Sequence, residues 1–319
     1  MAEYKTPVLI IGSGPAGYTA GIYTARAGLK PIIVSGEQIG GQLTITNLVE
    51  NYPGFPDPIL GTKLMEDMRR QAQNLGVEII NDKIVEIDFK NHPYECSSEN
   101  HNLFSGQTII IATGASARWL GLENETKYRG FGISVCATCD GIFFKNKNVA
   151  VIGGGNTAAE EALFLSNYAD FVTIIHRRDS LRADKSLQEK IRRNHKIAIE
   201  WNSVVEDIIG KENPLEVTGL KIKNVKTDQT KILSVNGVFI AIGHHPNTEI
   251  FKGILNMDEQ GYIITKHDST QTNIPGIFAA GDVQSPRFRQ AIVAAGSGCI
   301  AALEAEAYLL EQKFKYQNL

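Results

Sequence analysis

PVLIIGSGPAG, residues 7–17, is the stretch that decides the fold of this 319-residue chain. Pro7 to Ile11 is an apolar run of strand length, and it ends at Gly12, Ser13, Gly14, Pro15, Ala16 and Gly17. Tyr18 to Ala27 then reads as a helix, and Pro31 to Val34 as a second strand. Strand, glycine turn, helix, strand is a βαβ unit. In such a turn the first glycine makes the bend, the second lets a pyrophosphate approach the backbone, and the third lets the helix lie close to the strand. The helix N-terminus directs free N–H groups and the positive end of its dipole at phosphate. A plain tight turn without a ligand can use the same residues, so the surrounding strand and helix give the motif its weight.

The pattern recurs. Asn148 to Ile152 (NVAVI) runs into Gly153, Gly154, Gly155, Asn156, Thr157 and Ala158, followed by a helix through Leu165 and a strand from Phe171 to Ile175. An offset of about 140 residues is too long for a solenoid and suits a duplicated nucleotide fold. Further apolar segments at Val77–Ile80, Thr108–Ala112, Gly237–Ile242 and Gly276–Ala279 read as strands. TIIIATG (108–114), which ends in Ala112, Thr113 and Gly114, resembles GVFIAIG (237–243), which closes the second unit. The chain is therefore expected to cross between domains near Ala117 and His245, giving an outer domain of residues 1–117 and 246–319 with an inserted domain of residues 118–245. The expected fold class is α/β, with two Rossmann-like dinucleotide-binding domains, and two connecting strands that make a natural hinge. Arg289 to Leu310 has helical spacing and is expected to pack on the first fold.

Hydrophobic residues are 43% and charged residues 21% of the chain, ordinary values for a soluble globular protein. A net charge of -3 argues against nucleic-acid binding through a general basic surface. No apolar run approaches bilayer or signal-peptide length, so the expectation is a cytoplasmic protein without a membrane partner. Four cysteines, at 96, 136, 139 and 299, are too few and too irregular for a secreted disulfide framework.

The two second strands end differently. The second unit continues into His176, Arg177 and Arg178, with Arg182 close behind. Guanidinium forks at that place suit a 2′-phosphate, hence NADPH, although a solvated basic run would look the same. The first unit ends its strand at Ser35 and Gly36, with Glu37 late and Gly40-Gly41-Gln42 beyond, which leaves its ribose contact open. Near the C-terminus Ile277 to Gly281 leads to Asp282, an acid suited to a ribityl hydroxyl or to a helix N-cap.

Cys136-Ala137-Thr138-Cys139-Asp140 precedes the second fold's first strand. A Cys-x-x-Cys can hold a stabilised thiolate for disulfide exchange, and Asp140 is placed to move the proton that this exchange requires. Two other readings stay open: inert buried thiols with Asp140 as a cap, or half of a zinc site completed by His176 and His195. Cys96 and Cys299 have no sequence partner.

These segments closely resemble the low-molecular-weight thioredoxin reductases of bacterial type, along essentially the whole chain. GSGPAGYTA, GGQLT, ENYPG, IIIATGASAR, CATCDG, VIGGGNTA, EEALFLS, HRRD, IAIGHHPNT, IPGIFAAGDV and RQAI follow the family's order. The resemblance implies FAD in the discontinuous outer domain, held by Gly12 to Gly17, Ser35, Gly36, Glu37, Gln38, Gly41, Gln42, Asn51, Ala112 to Gly114, Asp282, Val283, Arg289, Gln290 and Ala291. It implies NADPH in the inserted domain, on Gly153 to Thr157, His176, Arg177, Arg178 and Arg182. Leu181 stands where the related motif often has Phe, which touches packing only, since Arg182 is kept. By the same resemblance Cys139 lies beside the flavin, Cys136 exchanges with thioredoxin, Asp140 is the acid-base partner, and the assembly is a homodimer. Because disulfide and nicotinamide ride on one domain, that domain is expected to rotate between half-reactions. A related flavoprotein acting on a peroxiredoxin or a small disulfide, and a non-catalytic nucleotide- or zinc-binding protein, are the competing expectations; no metal site is expected.

Overall fold

The computed structural model describes residues 1–46 and 48–317, with side chains as far as Lys315. Two compact units form, one from Met1–Ser116 together with the chain from His245 onward, the other from Ala117–His244.

The first unit begins with β1 (Glu3–Ile11), α1 (Pro15–Arg26), β2 (Ile32–Val34), α2 (Gly61–Asn74), β3 (Glu78–Ile80), β4 (Ile84–Asp88), β5 (Tyr94–Ser98) and β6 (Leu103–Ile111). β3, β2, β1 and β6 lie side by side in parallel, with Leu9 opposite both Ile32 and Ile109. Val8 to Ile11 and Ile109 to Ile111 are buried on both faces, which is why these strands read as unbroken apolar runs rather than alternating ones. One face packs on α1 and α2 through Ile10, Tyr18, Ile33, Leu64 and Ile110. The other packs on Phe89, Phe104, Phe251 and Ile277. β4 and β5 form an antiparallel hairpin that pairs with the first half of β6, an element with no counterpart in the sequence expectation. Its strands alternate buried and exposed residues, with Cys and Ser at inward positions, so they lack an apolar run.

The second unit contains β7 (Ile133–Ser134), α3 (Ala137–Asp140), β8 (Asn148–Gly153), α4 (Asn156–Leu165), β9 (Phe171–Ile175), α5 (Lys185–Arg193), β10 (Ile197–Glu200), β11 (Ser203–Glu212), β12 (Leu215–Asn224), β13 (Thr230–Ser234) and β14 (Gly237–Ala241). Its parallel sheet has the order β7-β14-β8-β9-β10. β11, β12 and β13 form a separate antiparallel sheet, again absent from the sequence expectation; Ile208, Val217, Leu220 and Ile222 bury its inner face. The chain then returns to the first unit with β15 (Ile277–Ala279), parallel to β6, and α6 (Ala291–Gln317).

α6 starts after the expected Arg289 and runs on beyond Leu310. It packs along α1 through small residues: a Cβ on Gly298 would stand 2.2 Å from the carbonyl oxygen of Ala16. In its stretch Ala291–Lys315 it is long and apolar enough to cross a bilayer by length and composition, contrary to the expectation that no such run exists; 44% of the apolar window is buried inside the protein.

The first glycine turn sets how close α1 comes to the sheet. Gly12 has φ +113°, and a Cβ there would meet the Ala112 carbonyl oxygen at 2.2 Å, while one on Gly17 would meet the Gly12 oxygen at 2.0 Å. Gly14, by contrast, faces open space. Gly17→Ala is therefore expected to cost about 2 kcal/mol or more in urea unfolding of the apoprotein, with Gly14→Ala close to wild type. Equal stabilities would show that the helix can move away from the strand without penalty.

Candidate active site

The turn at residues 12–17 gathers most of the residues assigned to the first nucleotide. The Ser13 hydroxyl donates to the Ser35 carbonyl at 2.7 Å and accepts from the Gly40 N–H at 3.0 Å, so the end of β2 and the Gly40-Gly41-Gln42 turn are tied to the glycine loop. A Cβ on Gly41 would lie 3.1 Å from the Gly14 Cα. Gly14 caps α1 with no side-chain hydrogen bond, and Pro15 occupies the first turn. The helix N-terminus is thus left open toward a phosphate rather than closed by a cap. Glu37 is exposed and paired with Lys83, while Gln38 and Gln42 bond to each other at 3.2 Å. Asn51 donates to the Gln290 side chain at 3.2 Å, joining residues far apart in sequence. Thr113 and Gly114 are held by Asn247, which donates to the Thr113 carbonyl and, through its own N–H, to that of Gly114. The side chains of Ala16, Ala112 and Val283 are core, so these positions can offer only main chain.

Asp282 sits in the short helical turn Gly281–Val283 rather than capping α6. Burial pushes its carboxyl up to about 6, opposed by Arg289. Tyr262, whose pKa burial raises and the Arg289 guanidinium opposes, completes this corner. A carboxyl desolvated this strongly suits a partner hydroxyl, and together with the open α1 terminus it fits a flavin dinucleotide.

Around the second turn, Gly155 caps α4 without a side-chain hydrogen bond and faces open space. The Arg182 N–H donates to the Gly154 carbonyl at 2.7 Å, bringing the arginine segment against the glycine turn. Arg177, Arg178 and Arg182 are exposed, and among the described residues none of them is in a salt bridge; the neighbouring acid, Asp179, pairs with Lys226 instead. His176 plays another part. It is buried, bonded to the Ser180 carbonyl at 2.9 Å, and burial lowers its pKa, so it is neutral. A Cβ on Gly154 would fall within 2.1 Å of its ring: the imidazole is the wall behind the turn. Asn156 is tied to Asp184 in both directions, at 2.9 and 2.8 Å, at the start of α4. An open helix terminus with three unpaired guanidiniums fits a phosphorylated dinucleotide.

Cys136 and Cys139 are joined in a disulfide, with Cα atoms 5.3 Å apart. The pair is thus a bonded disulfide rather than two free thiols. Cys136 caps α3, its Sγ lies 3.4 Å from the Thr138 hydroxyl, and its carbonyl accepts from the N–H groups of Cys139 and Asp140. Burial raises the Asp140 pKa, opposed by the Ser134 hydroxyl. Cys96 is buried with its thiol pushed up to about 12, which makes it unreactive. Ser134, Asn247 and Tyr262 were not singled out in sequence; each lies outside a glycine or cysteine motif and gains its position only through the fold.

A model of the pyridine nucleotide-disulphide oxidoreductases matches residues 6–298. The chain belongs to this family. It is 56% identical over 307 residues to the thioredoxin reductase of Rickettsia conorii, covering 96% of this chain and 99% of that one. Among solved structures, thioredoxin reductase from Streptococcus pyogenes superposes with a TM-score of 0.91 at 41% identity, and that from Giardia duodenalis with 0.91 at 39%; each comparison covers 96% of this chain and 99% of the other. The fold is the two-domain architecture of those enzymes, and the activity is that of a thioredoxin reductase, a disulfide oxidoreductase using a flavin and a pyridine nucleotide.

The raised Asp282 pKa has a sign. A folded-state value of about 6, above an unfolded value near 3.9, means that the folded apoprotein binds this proton more tightly. Its stabilising contribution is full below the unfolded pKa and is lost as pH rises through about 6. Apo Asp282→Asn is expected to be more stable than wild type near pH 7.5, by about 2 kcal/mol or less, with the gap closing toward pH 4. Urea midpoints measured across that range check it, and a gap independent of pH would show that Asp282 stays solvated.

Proposed function

We propose that this enzyme uses FAD in the unit containing β1 and α1, and NADPH in the unit containing β8 and α4, to reduce oxidised thioredoxin through Cys136 and Cys139. The single observation that carries the proposal is the Cys136–Cys139 disulfide on the same unit as the arginine-flanked glycine turn. When bound, the two cofactors supply a hydride and a two-electron relay. FAD is held by the residues 12–17 turn, Ser35 to Gln42, Asn51, Ala112 to Gly114 and the Asp282 to Ala291 segment. NADPH is held by Gly153 to Thr157 and the Arg177, Arg178 and Arg182 forks, with His176 shaping the turn from behind. The domain borders of the function are residues 1–117, 118–245 and 246–319.

With two electrons, which NADPH and FAD would supply when bound, and two protons, the Cys136–Cys139 disulfide becomes a dithiol. Cys139 is the sulfur that would accept electrons from the bound flavin. Cys136, as thiolate, attacks the thioredoxin disulfide; its S–S bond breaks as the mixed disulfide forms, and the leaving thiolate takes a proton. Cys139 then attacks the Cys136 sulfur, releasing reduced thioredoxin and restoring the starting disulfide. Asp140 moves the protons, a task suited to a carboxyl whose pKa burial raises. Since disulfide and NADPH share one unit, that unit turns on its two connecting segments between half-reactions.

Cys136→Ser is expected to keep flavin bleaching by NADPH while lowering thioredoxin-dependent NADPH oxidation at least a hundredfold, on the order of the loss when a covalent nucleophile is removed. Retained thioredoxin turnover would refute the assignment. A colourless protein with no NADPH response would refute the cofactor reading.

The working assembly is a homodimer in the cytoplasm, where reducing conditions keep Cys96 and Cys299 free. α6 supplies a self-complementary surface: Ile300, Leu303, Leu310 and Phe314 are 44%, 53%, 48% and 63% exposed, and with exposed Ala307 they repeat at alternating three- and four-residue spacing, the seam that a second identical helix fills. Leu303→Asp with Leu310→Asp is expected to halve the mass seen by light scattering, whereas an unchanged mass would place the partner elsewhere.

A further inference from the structure

We propose that Gln188 on α5 is a positioning residue for the pyridine nucleotide: its side-chain amide brackets Arg182 and thereby selects for a ligand with a 2′-phosphate. This rests on the reading of Arg182 as a phosphate-binding arginine and adds the group that holds it in place.

The geometry lies within one unit. Arg182 belongs to the segment between β9 and α5, and it is exposed. The Gln188 Nε2 donates to the Leu181 carbonyl at 3.3 Å and to the Ala183 carbonyl at 2.7 Å, so that one amide grips the chain on both sides of Arg182. The opposite edges of the same two peptide groups are held as well. The Arg182 N–H, which shares a peptide group with the Leu181 carbonyl, donates to the Gly154 carbonyl at 2.7 Å. The Asp184 N–H, which shares one with the Ala183 carbonyl, donates to the Asn156 side chain at 2.8 Å. Arg182, with Ala183, therefore lies between two peptide planes, each pinned at one edge by the glycine-turn segment and at the other by Gln188.

Gln188 takes its own position from α5: its N–H donates to the Asp184 carbonyl at 3.0 Å, and the helix is seated on the core of the unit through Leu187 and the buried Ile191. A side-chain amide suits the task because one nitrogen carries two N–H donors, enough for two carbonyls, whereas an ionised glutamate would offer none and would add a negative charge beside the arginine. The acid nearest to Arg182 in sequence, Asp184, is engaged elsewhere, since its carboxylate accepts from the Asn156 Nδ2 at 2.9 Å. A long arginine side chain loses much freedom when it grips an anion, and a mobile backbone beneath it adds to that loss. Fixing the main chain on both sides of Arg182 in advance removes the backbone share. The gain goes to a ligand whose 2′-phosphate meets the guanidinium and not to one that lacks it, so Gln188 acts on the selectivity between the two.

The test compares Gln188→Met, Arg182→Gln and the double variant with wild type, all as full-length, flavin-loaded enzyme. Calorimetry gives the dissociation constants of 2′,5′-ADP, which carries the 2′-phosphate, and of 5′-AMP, which lacks it; KM and kcat are measured for NADPH and for NADH. Gln188→Met keeps the side-chain length and removes both donors. It is expected to weaken 2′,5′-ADP and to raise KM for NADPH by about three- to tenfold, while 5′-AMP binding, KM for NADH and kcat stay within about twofold. In the Arg182→Gln background the methionine substitution moves the selectivity no further. Wild-type selectivity in Gln188→Met overturns the inference, as does an equal loss for both members of each pair, which a general loosening of the fold would give, or a shift that persists when Arg182 is already Gln. If Arg182→Gln itself leaves the selectivity unchanged, Arg182 is not a phosphate ligand, and the reading of that arginine falls together with the inference drawn from it. Should Gln188→Met fold poorly, Gln188→Ala replaces it, with the same outcomes required.

Discussion

The approach of a helix to a strand with no side chain between them is the constraint on which the rest of this enzyme depends. At Gly17 the α1 backbone comes so near the Gly12 carbonyl that a methyl group would overlap it. That closeness brings the α1 N-terminus down to the edge of the sheet, beside Ser35 at the end of β2. It also fixes what happens across the sheet: Ala112 follows β6 against Gly12, and Asn247 locks the main chain of Thr113 and Gly114 just beyond. The turn is therefore built from main-chain geometry, and the side chains nearby mostly hold loops in place.

The second unit solves the same problem by different means. Its glycine turn is backed by the His176 ring, which fills the space that a side chain on Gly154 would need. Burial lowers the pKa of that imidazole, and the neighbouring Arg182 and Arg178 push in the same direction. The positive charge lies instead on the exposed arginines after β9. Asp179, next to Arg178 in sequence, pairs with Lys226 instead of with them. The histidine and the arginines, adjacent in sequence, thus divide into a structural and an electrostatic role.

Much of this was legible in the sequence because parallel strands buried on both faces leave continuous apolar runs, and glycines end them. β9 and α4 end where the pattern places them, and the insertion of one nucleotide fold in another follows from the two matching strand endings. The β4–β5 hairpin and the β11–β13 sheet were not legible, since half-exposed antiparallel strands carry polar residues at alternate positions and resemble loops. Within the site, motif residues were visible but their roles were not. His176 reads as a ligand beside two arginines, and only its burial against Gly154 turns it into a wall. Asn247 and Tyr262 act on residues more than a motif's length away, so no local pattern could flag them.

The dithiol centre shows why a short motif needs a larger fold to become chemistry. Two cysteines three apart can form a disulfide in many contexts; here the pair opens a short helix, α3, that packs against α4. Burial raises the pKa of Asp140 at the end of that helix, and the Ser134 hydroxyl on β7 opposes the shift. The strand that supplies the hydroxyl is paired in the same sheet as β8, which leads into the nucleotide turn. The acid beside the disulfide and the glycine turn after β8 are consequently attached to a single sheet.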